Sequence, residues 1–238
     1  LLGGRSHRAR EALDAAERAL AADGSGEPYE PAVAGGASLV ANVPATIALD
    51  RAYLALLDGD VATATASLSR AGDAIGDDEW MLRSHADGYL ALADLLAGRL
   101  DAAEQRLTAT IATWRSAAEA SLAVRGCHHL GQVRRAQGRL DAAVDAYRQA
   151  LDIAAPAGRP PLPAAGLAHV GLAEVAYERD DLDAALAHLD AGLGLCRQLA
   201  YTQPLATGLA TLAAVRQARG EADGAAAALA HAERGPRD

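Results

Sequence analysis

The run Cys127-His128-His129 sets a thiol and two imidazoles side by side, the residue types that ligate transition metals and move protons. On a helix, however, neighbours in sequence point about 100° apart and cannot converge on one ion as residues three or four apart can. The run therefore reads as structural, with Cys127 in a core position and His128 and His129 diverging. The carboxylate pairs Asp77-Asp78 and Asp180-Asp181 have the right groups for general acid-base work. Both fall among turn residues, where they read as turn formers and helix-start charges. Arg134-Arg135 reads as half solvated surface and half groove rather than as a phosphate clamp. All 22 basic residues are Arg, so Schiff-base chemistry and a lysine-bearing phosphate loop are excluded. Neither a Gly-x-Ser-x-Gly elbow nor a His-Glu-x-x-His pair occurs, and the expectation is a protein that is not an enzyme.

The elements that must position these residues are helices. The 238 residues include 62 Ala and 34 Leu, no Phe, and only 3% aromatic residues. Such a composition suits closely packed helices and starves a sheet of its preferred residues, so the fold class is all-α. The net charge of -9 argues against binding nucleic acid by displacing counterions from phosphate. Cys127 and Cys196, far apart and inside helical patterns, read as reduced, buried thiols of a cytoplasmic protein. The N-terminal LLGGRSHRAR lacks the sustained apolar region of a signal peptide. No apolar stretch of about 18 residues offers a membrane span.

The chain is repetitive. LLDGDVATA at 56–64, LAGRLDAA at 96–103, AQGRLDAA at 136–143, ERDDLDAA at 178–185 and ARGEADGA at 218–225 align on Gly59, Gly98, Gly138, Asp180 and Gly220, in steps of 39, 40, 42 and 40 residues. Each phrase reads as a helix end, a tight turn in which Gly or Asp takes the left-handed conformation, and a new helix start. Apolar residues recur at helical spacing on either side, as at Leu182, Leu186, Leu189 and Leu193. The unit is a helical hairpin that buries its stripe only by stacking on its neighbours. The reading is one solenoid over 1–238: an orphan second helix at 1–22, then repeats at 37–75, 80–118, 119–156, 163–199 and 203–234. An irregular stretch from Asp23 to Gly36, pinned by Tyr29, and a connector PAGRPPLP at 156–163 interrupt it. Pro44 either kinks the first full helix or lies near its start. Trp80 reads as a staple at a helix start and Trp114 as core.

His129-Leu130-Gly131, Gly138-Arg139-Leu140-Asp141-Ala142-Ala143, Tyr147, Ala150 and Leu151 together resemble the tetratricopeptide signature. The resemblance implies facing small residues on the two helices: Ala52 with Ala64, Ala91 with Ala103, Gly131 with Ala143, Ala173 with Ala185, and Ala213 with Ala225. The later aromatic of that signature survives as Tyr147, with Leu68, Leu107, Leu189 and Leu229 in its place elsewhere. The longer period, with EPYEP at 27–31, SLVANVPATIAL at 38–49, DEWMLRS at 78–84, LAVRGCHHLGQVRRAQGRL at 122–140 and CRQLAYTQPLATGLATLA at 196–213, resembles the superhelical region of the large ATP-binding regulators of the LuxR family, the MalT-like activators. That resemblance implies a sensor region, with a nucleotide-binding module before it and a helix-turn-helix module after it. ATP is then expected only in the upstream module, and no cofactor or metal in this region.

First helices of such hairpins line the concave groove, and the register places Thr46, Tyr53, His85, Arg125, His128, Gln132, Arg135, Glu174, Tyr177, Thr207 and Gln217 on that face. Donors and acceptors at this spacing suit a small-molecule inducer or a protein partner. An equally open reading is a solvated face that binds nothing by itself. The alternative function is a stand-alone adaptor that scaffolds a protein complex. The initial Leu and the uncapped helices at both ends read as cuts through a longer array, which makes end-to-end homo-oligomers plausible.

Overall fold

A computed structural model describes residues 2–23, 42–155, 160–199 and 203–234. Among these residues there are eleven helices and no strand: α1 (Leu2–Asp23), α2 (Val43–Leu57), α3 (Val61–Ala74), α4 (Trp80–Leu96), α5 (Leu100–Ser116), α6 (Ala120–Ala136), α7 (Leu140–Ala154), α8 (Ala165–Glu178), α9 (Leu182–Cys196), α10 (Gln203–Ala218) and α11 (Ala222–Arg234). The fold is an all-α helical repeat of hairpins. EPYEP, the irregular stretch after Asp23 with Tyr29, the opening of the first repeat at 37, the first half of the 156–163 connector, and the residues beyond 234 lie outside the described residues. No described helix is long and apolar enough to cross a membrane.

The turns follow the expected chemistry. Gly59, Gly98, Gly138 and Gly220 have φ between 74° and 78°, and Asp180 has φ of 59°. Each is the left-handed residue of a Schellman closure. At Gly138, for example, its N–H donates to the Arg135 carbonyl at 2.9 Å while the Arg139 N–H donates to the Arg134 carbonyl at 2.8 Å. A sixth closure lies between α5 and α6, where no glycine marks it. There Ala118 takes φ of 59°, its N–H donates to Arg115, and the Glu119 N–H donates to Trp114 at 2.8 Å. Helix starts are capped by Asn42, Asp60 and Asp181, whose side chains accept from the backbone N–H groups of Ala45, Thr63 and Ala184. Pro44 sits in the first turn of α2, where its missing N–H costs nothing.

The helices gather into two compact units, residues 1–106 and 107–238, with the division inside α5. In the first unit α2, α3 and α4 share a core that includes Leu49, Ala52, Leu68, Ala71, Leu82 and Ala86. Asn42 ties three elements there, donating to the Ala74 carbonyl at 2.7 Å and to Glu79 Oε2 at 2.8 Å besides capping α2. Asp94, buried near the end of α4, accepts from Arg99 Nε at 2.8 Å and Arg106 Nε at 3.1 Å. Helix α1 packs on α2; Arg51 meets Glu17 at 2.8 Å and Asp14 at 2.6 Å, and Arg10 pairs with Asp58. Trp80 opens α4 but is 39% exposed, so it covers that helix start only in part.

In the second unit glycine sets helix spacing. Tyr147 on α7 lies between Gly131 of α6 and Gly171 of α8, so that a Cβ on either glycine would sit 2.3–2.4 Å from the phenol ring. Gly126 faces Ile111 and the buried Trp114 in the same way, at 2.7 and 2.9 Å. The facing pairs expected from the register, Gly131 with Ala143 and Ala173 with Ala185, are all buried, as are Ala213 and Ala225 and, in the first unit, Ala52 with Ala64 and Ala91 with Ala103. Leu68, Leu107 and Leu189 fill their aromatic positions inside cores, whereas Leu229 is 50% exposed because α11 packs on α10 alone among the described helices.

Two stability measurements check these packing rules. Gly131→Ala forces a methyl into the Tyr147 ring and is expected to cost about 1–3 kcal/mol in urea unfolding, with most of that cost removed in a Tyr147→Leu background. An unchanged cost in that background would mean that the ring is not the obstacle. Ala118→Gly relieves a left-handed alanine and is expected to stabilise by roughly 1 kcal/mol, where an ordinary helix glycine destabilises.

Candidate functional site

Helix α6 carries Arg125, His128, Gln132 and Arg135 at intervals of three, four and three residues, which keeps them on one face. Within the second unit α6 packs beside α8, and their polar residues meet. Arg135 Nη1 lies 2.6 Å from Glu174 Oε2, and Arg135 Nε lies 2.9 Å from Glu178 Oε1. One guanidinium thus bridges two carboxylates one helical turn apart, though the buried Glu174 Oε2 is held by charge and proximity without a well-aligned hydrogen bond among the described residues. The Arg135 and Glu174 side chains keep 28% and 17% of their surface, so the bridge is partly desolvated but reachable from outside. Burial opposes the charge on Arg135, but the Glu174 and Glu178 carboxylates outweigh it and hold the group above its ordinary value.

Behind the bridge sits a buried polar layer. Tyr147, threaded between its two glycines, has an enclosed hydroxyl with no well-formed hydrogen bond among the described residues. Burial first, and then the Glu174 charge, push that phenol well above its usual range. The His128 ring lies 5.8 Å from the Tyr147 ring and 5.2 Å from the His129 ring. It is buried, bonds the Leu167 backbone, and leaves Nδ1 without a partner among the described residues. His128 therefore lies beneath the face rather than on it, because α8 covers it. His129 donates from Nδ1 to Gln132 Oε1 at 2.9 Å. Burial lowers His128 well below 6.5 and His129 to about 4, so both rings are neutral at pH 7.

Of the other candidates, Tyr177 adjoins Glu178 on α8 and the rest lie elsewhere. Tyr177 is 39% exposed on α8, one turn beyond Glu174. Thr207, partly buried on α10, accepts through its carbonyl from Thr211 Oγ1 at 3.0 Å, and Gln217 is exposed near the end of the same helix. Arg125 is partly buried at the start of α6. In the first unit Tyr53 stacks on Tyr89 at 5.5 Å, His85 meets Tyr89 edge-on at 6.5 Å and donates through Nδ1 to the Met81 carbonyl at 2.9 Å, and the Thr46 hydroxyl donates to the Asn42 carbonyl at 2.9 Å. Glu178, Tyr147 and Tyr89 join the expected residues. Glu178 was legible as Glu174 plus four, on the same helical face; the destination of the Tyr147 hydroxyl and the partnering of Tyr53 by Tyr89 had no signal in spacing.

Burial pushes the Cys127 and Cys196 thiols up to about 11, so neither offers a thiolate. Among the described residues no three His, Cys, Asp or Glu side chains converge to hold a metal. What reaches solvent is a fork of donors, two carboxylates and a phenol. The neutral histidines set a pH dependence: folded values below 6.5 mean that their stabilising contribution is complete above pH 6.5 and is lost as the pH falls towards 4. Urea midpoints are therefore expected to fall between pH 7 and about pH 4, and His129→Gln to flatten part of that slope; a slope unchanged in the variant would show that His129 does not carry it.

The likenesses to solved structures concern fold. No curated protein matches the chain in sequence. Among solved structures, BtubC (BKLC) from P. vanneervenii superposes with a TM-score of 0.58 at 18% identity, covering 98% of this chain and 90% of that one. A Podosopora anserina kinesin light chain structure of nearly identical TPR-like repeats gives 0.52 at 18% identity, covering 80% of this chain and 95% of that one. At such identity these likenesses establish the fold, a tetratricopeptide-type helical repeat. The family model described as the MalT-like TPR region matches residues 45–237, and the chain belongs to that family.

Proposed function

We propose that this chain is the non-enzymatic sensor region of a MalT-like transcriptional regulator of the LuxR family, and that it binds an inducer or a protein partner on its first-helix face. The observation that carries the reading is the Arg135 bridge to Glu174 and Glu178 beside the exposed Tyr177. A ligand with an acidic or amide edge can exchange hydrogen bonds with that fork, and the phenol supplies a flat surface for its apolar part. Because the bridge joins the first helices of successive hairpins, a ligand that replaces one carboxylate changes how α6 is held to α8. Such a ligand shifts a resting and an active form only by its difference in affinity for the two. ATP, on this reading, is bound by a separate upstream module and DNA by a downstream one, in keeping with the chain's net charge of -9. The setting is cytoplasmic, and association through hairpin faces at the ends of the array is part of the same proposal.

Calorimetric titration of the chain with candidate metabolites, and with the nucleotide-binding module of the same regulator, tests this. Saturable binding that weakens at least about tenfold in Arg135→Ala or Tyr177→Ala, roughly 1.4 kcal/mol, is the expected result. Binding that is indifferent to both variants would move the site elsewhere. Binding of a protein partner with no response to any metabolite, from a gene lacking both neighbouring modules, would favour an adaptor.

A further inference from the structure

His169 on α8 and His188 on α9 face each other across the fourth hairpin. Their Nδ1 atoms are 3.3 Å apart and their ring centroids 5.5 Å apart, with the planes inclined at 41°. Zinc binds imidazole nitrogen at about 2.0–2.1 Å in tetrahedral geometry, which places two ligating nitrogens roughly 3.3–3.4 Å apart. The spacing in the hairpin matches the edge of such a tetrahedron; without an ion the same atoms share one N–H···N hydrogen bond, whose donor ring must move its proton to Nε2 before both Nδ1 atoms can ligate. We infer that His169 and His188 form a two-histidine site for a borderline divalent transition ion of the zinc, nickel or copper(II) class, with the remaining coordination positions left to solvent or to an exogenous ligand.

Three features support the site. The helices that carry the rings are locked together next to them: a Cβ on Gly192 would lie 2.6 Å from the His169 Cβ, and a Cβ on Gly166 would lie 2.8 Å from Cys196 Sγ and 2.9 Å from the Gly192 carbonyl. Two ligands on elements that cannot separate arrive with little ordering cost. Both rings are only partly buried, so an ion and its waters have access. Burial foremost lowers both imidazoles below 6.5, His169 further by its partner and His188 by Arg148. They are neutral at pH 7, the form that ligates. Arg148, on α7, opposes an incoming cation and sets a limit on affinity. No third protein ligand joins them among the described residues, so micromolar rather than structural-zinc affinity is expected. The pair differs from Cys127-His128-His129, where adjacency in sequence forbids convergence; here the two rings come from facing helices.

The test is titration of the 238-residue chain with Zn2+, Ni2+ or Cu2+ alone at pH 7.5. One site is expected, weakened at least tenfold by His169→Ala and equally by His188→Ala, with no further loss in the double variant. Arg148→Gln is expected to tighten binding severalfold, and His7→Ala to leave it unchanged. Electron paramagnetic resonance of the Cu2+ form should report two imidazole nitrogens. Circular dichroism of each variant separates a lost site from a lost fold, and His188→Gln provides a second, milder removal of the ligand. Absence of binding in the parent chain, one nitrogen or none in the copper spectrum, or affinity retained in both folded histidine variants would overturn the assignment.

Discussion

Backbones of two helices come close only where side chains at the crossing are small, and this restriction organises the molecule. Gly131 and Gly171 leave a slot, and Tyr147 fills it with its ring against both. The slot sends a phenol from a second helix through to the layer where two first helices meet. Arg135, Glu174 and His128 take their places around that layer because α6 and α8 are held at the distance the ring allows. A larger residue at either glycine would move the helix and dismantle the arrangement, since a packed core shifts discretely rather than stretching.

The second organising feature is the stop. A left-handed residue ends a helix and, through two backbone hydrogen bonds, satisfies carbonyls that would otherwise be orphaned. Five such residues recur near a period of 40, and they set the hairpin length. Ala118 performs the same closure without glycine's freedom, so one connection between hairpins is held at a local cost that packing around Trp114 must offset. Histidine chemistry separates along the same lines. His128 and His129 are neighbours in sequence and end as neutral rings, His128 buried and bonded to the Leu167 backbone, His129 partly buried and bonded to Gln132. His169 and His188 are 19 residues apart and end 3.3 Å apart.

The sequence was most informative where one residue type has one physical use. Glycine or aspartate at Gly59, Gly98, Gly138, Asp180 and Gly220 required a left-handed turn, which the structure has, and the small residues that the tetratricopeptide resemblance set at five facing pairs are all buried. It was less informative for polar residues on the inner face. Arg135 and Glu174 were both placed there, yet nothing in their spacing said that they would pair with each other and with Glu178. His128 shared their helical face by register and is nonetheless covered by α8. Ala118 gave no sign at all, since alanine is an ordinary helix residue.

Composition, period and turn residues together determined an all-α chain of hairpins, because helix propensity, hydrophobic spacing and left-handed conformation are local properties of a few residues. Which polar side chains face one another was decided only by tertiary structure. The Arg135 bridge, the burial of His128 and the meeting of His169 with His188 each depend on how one helix is rotated and shifted against the next. That relation is set by the summed packing of glycines, alanines and Tyr147, and no single stretch of sequence contains it.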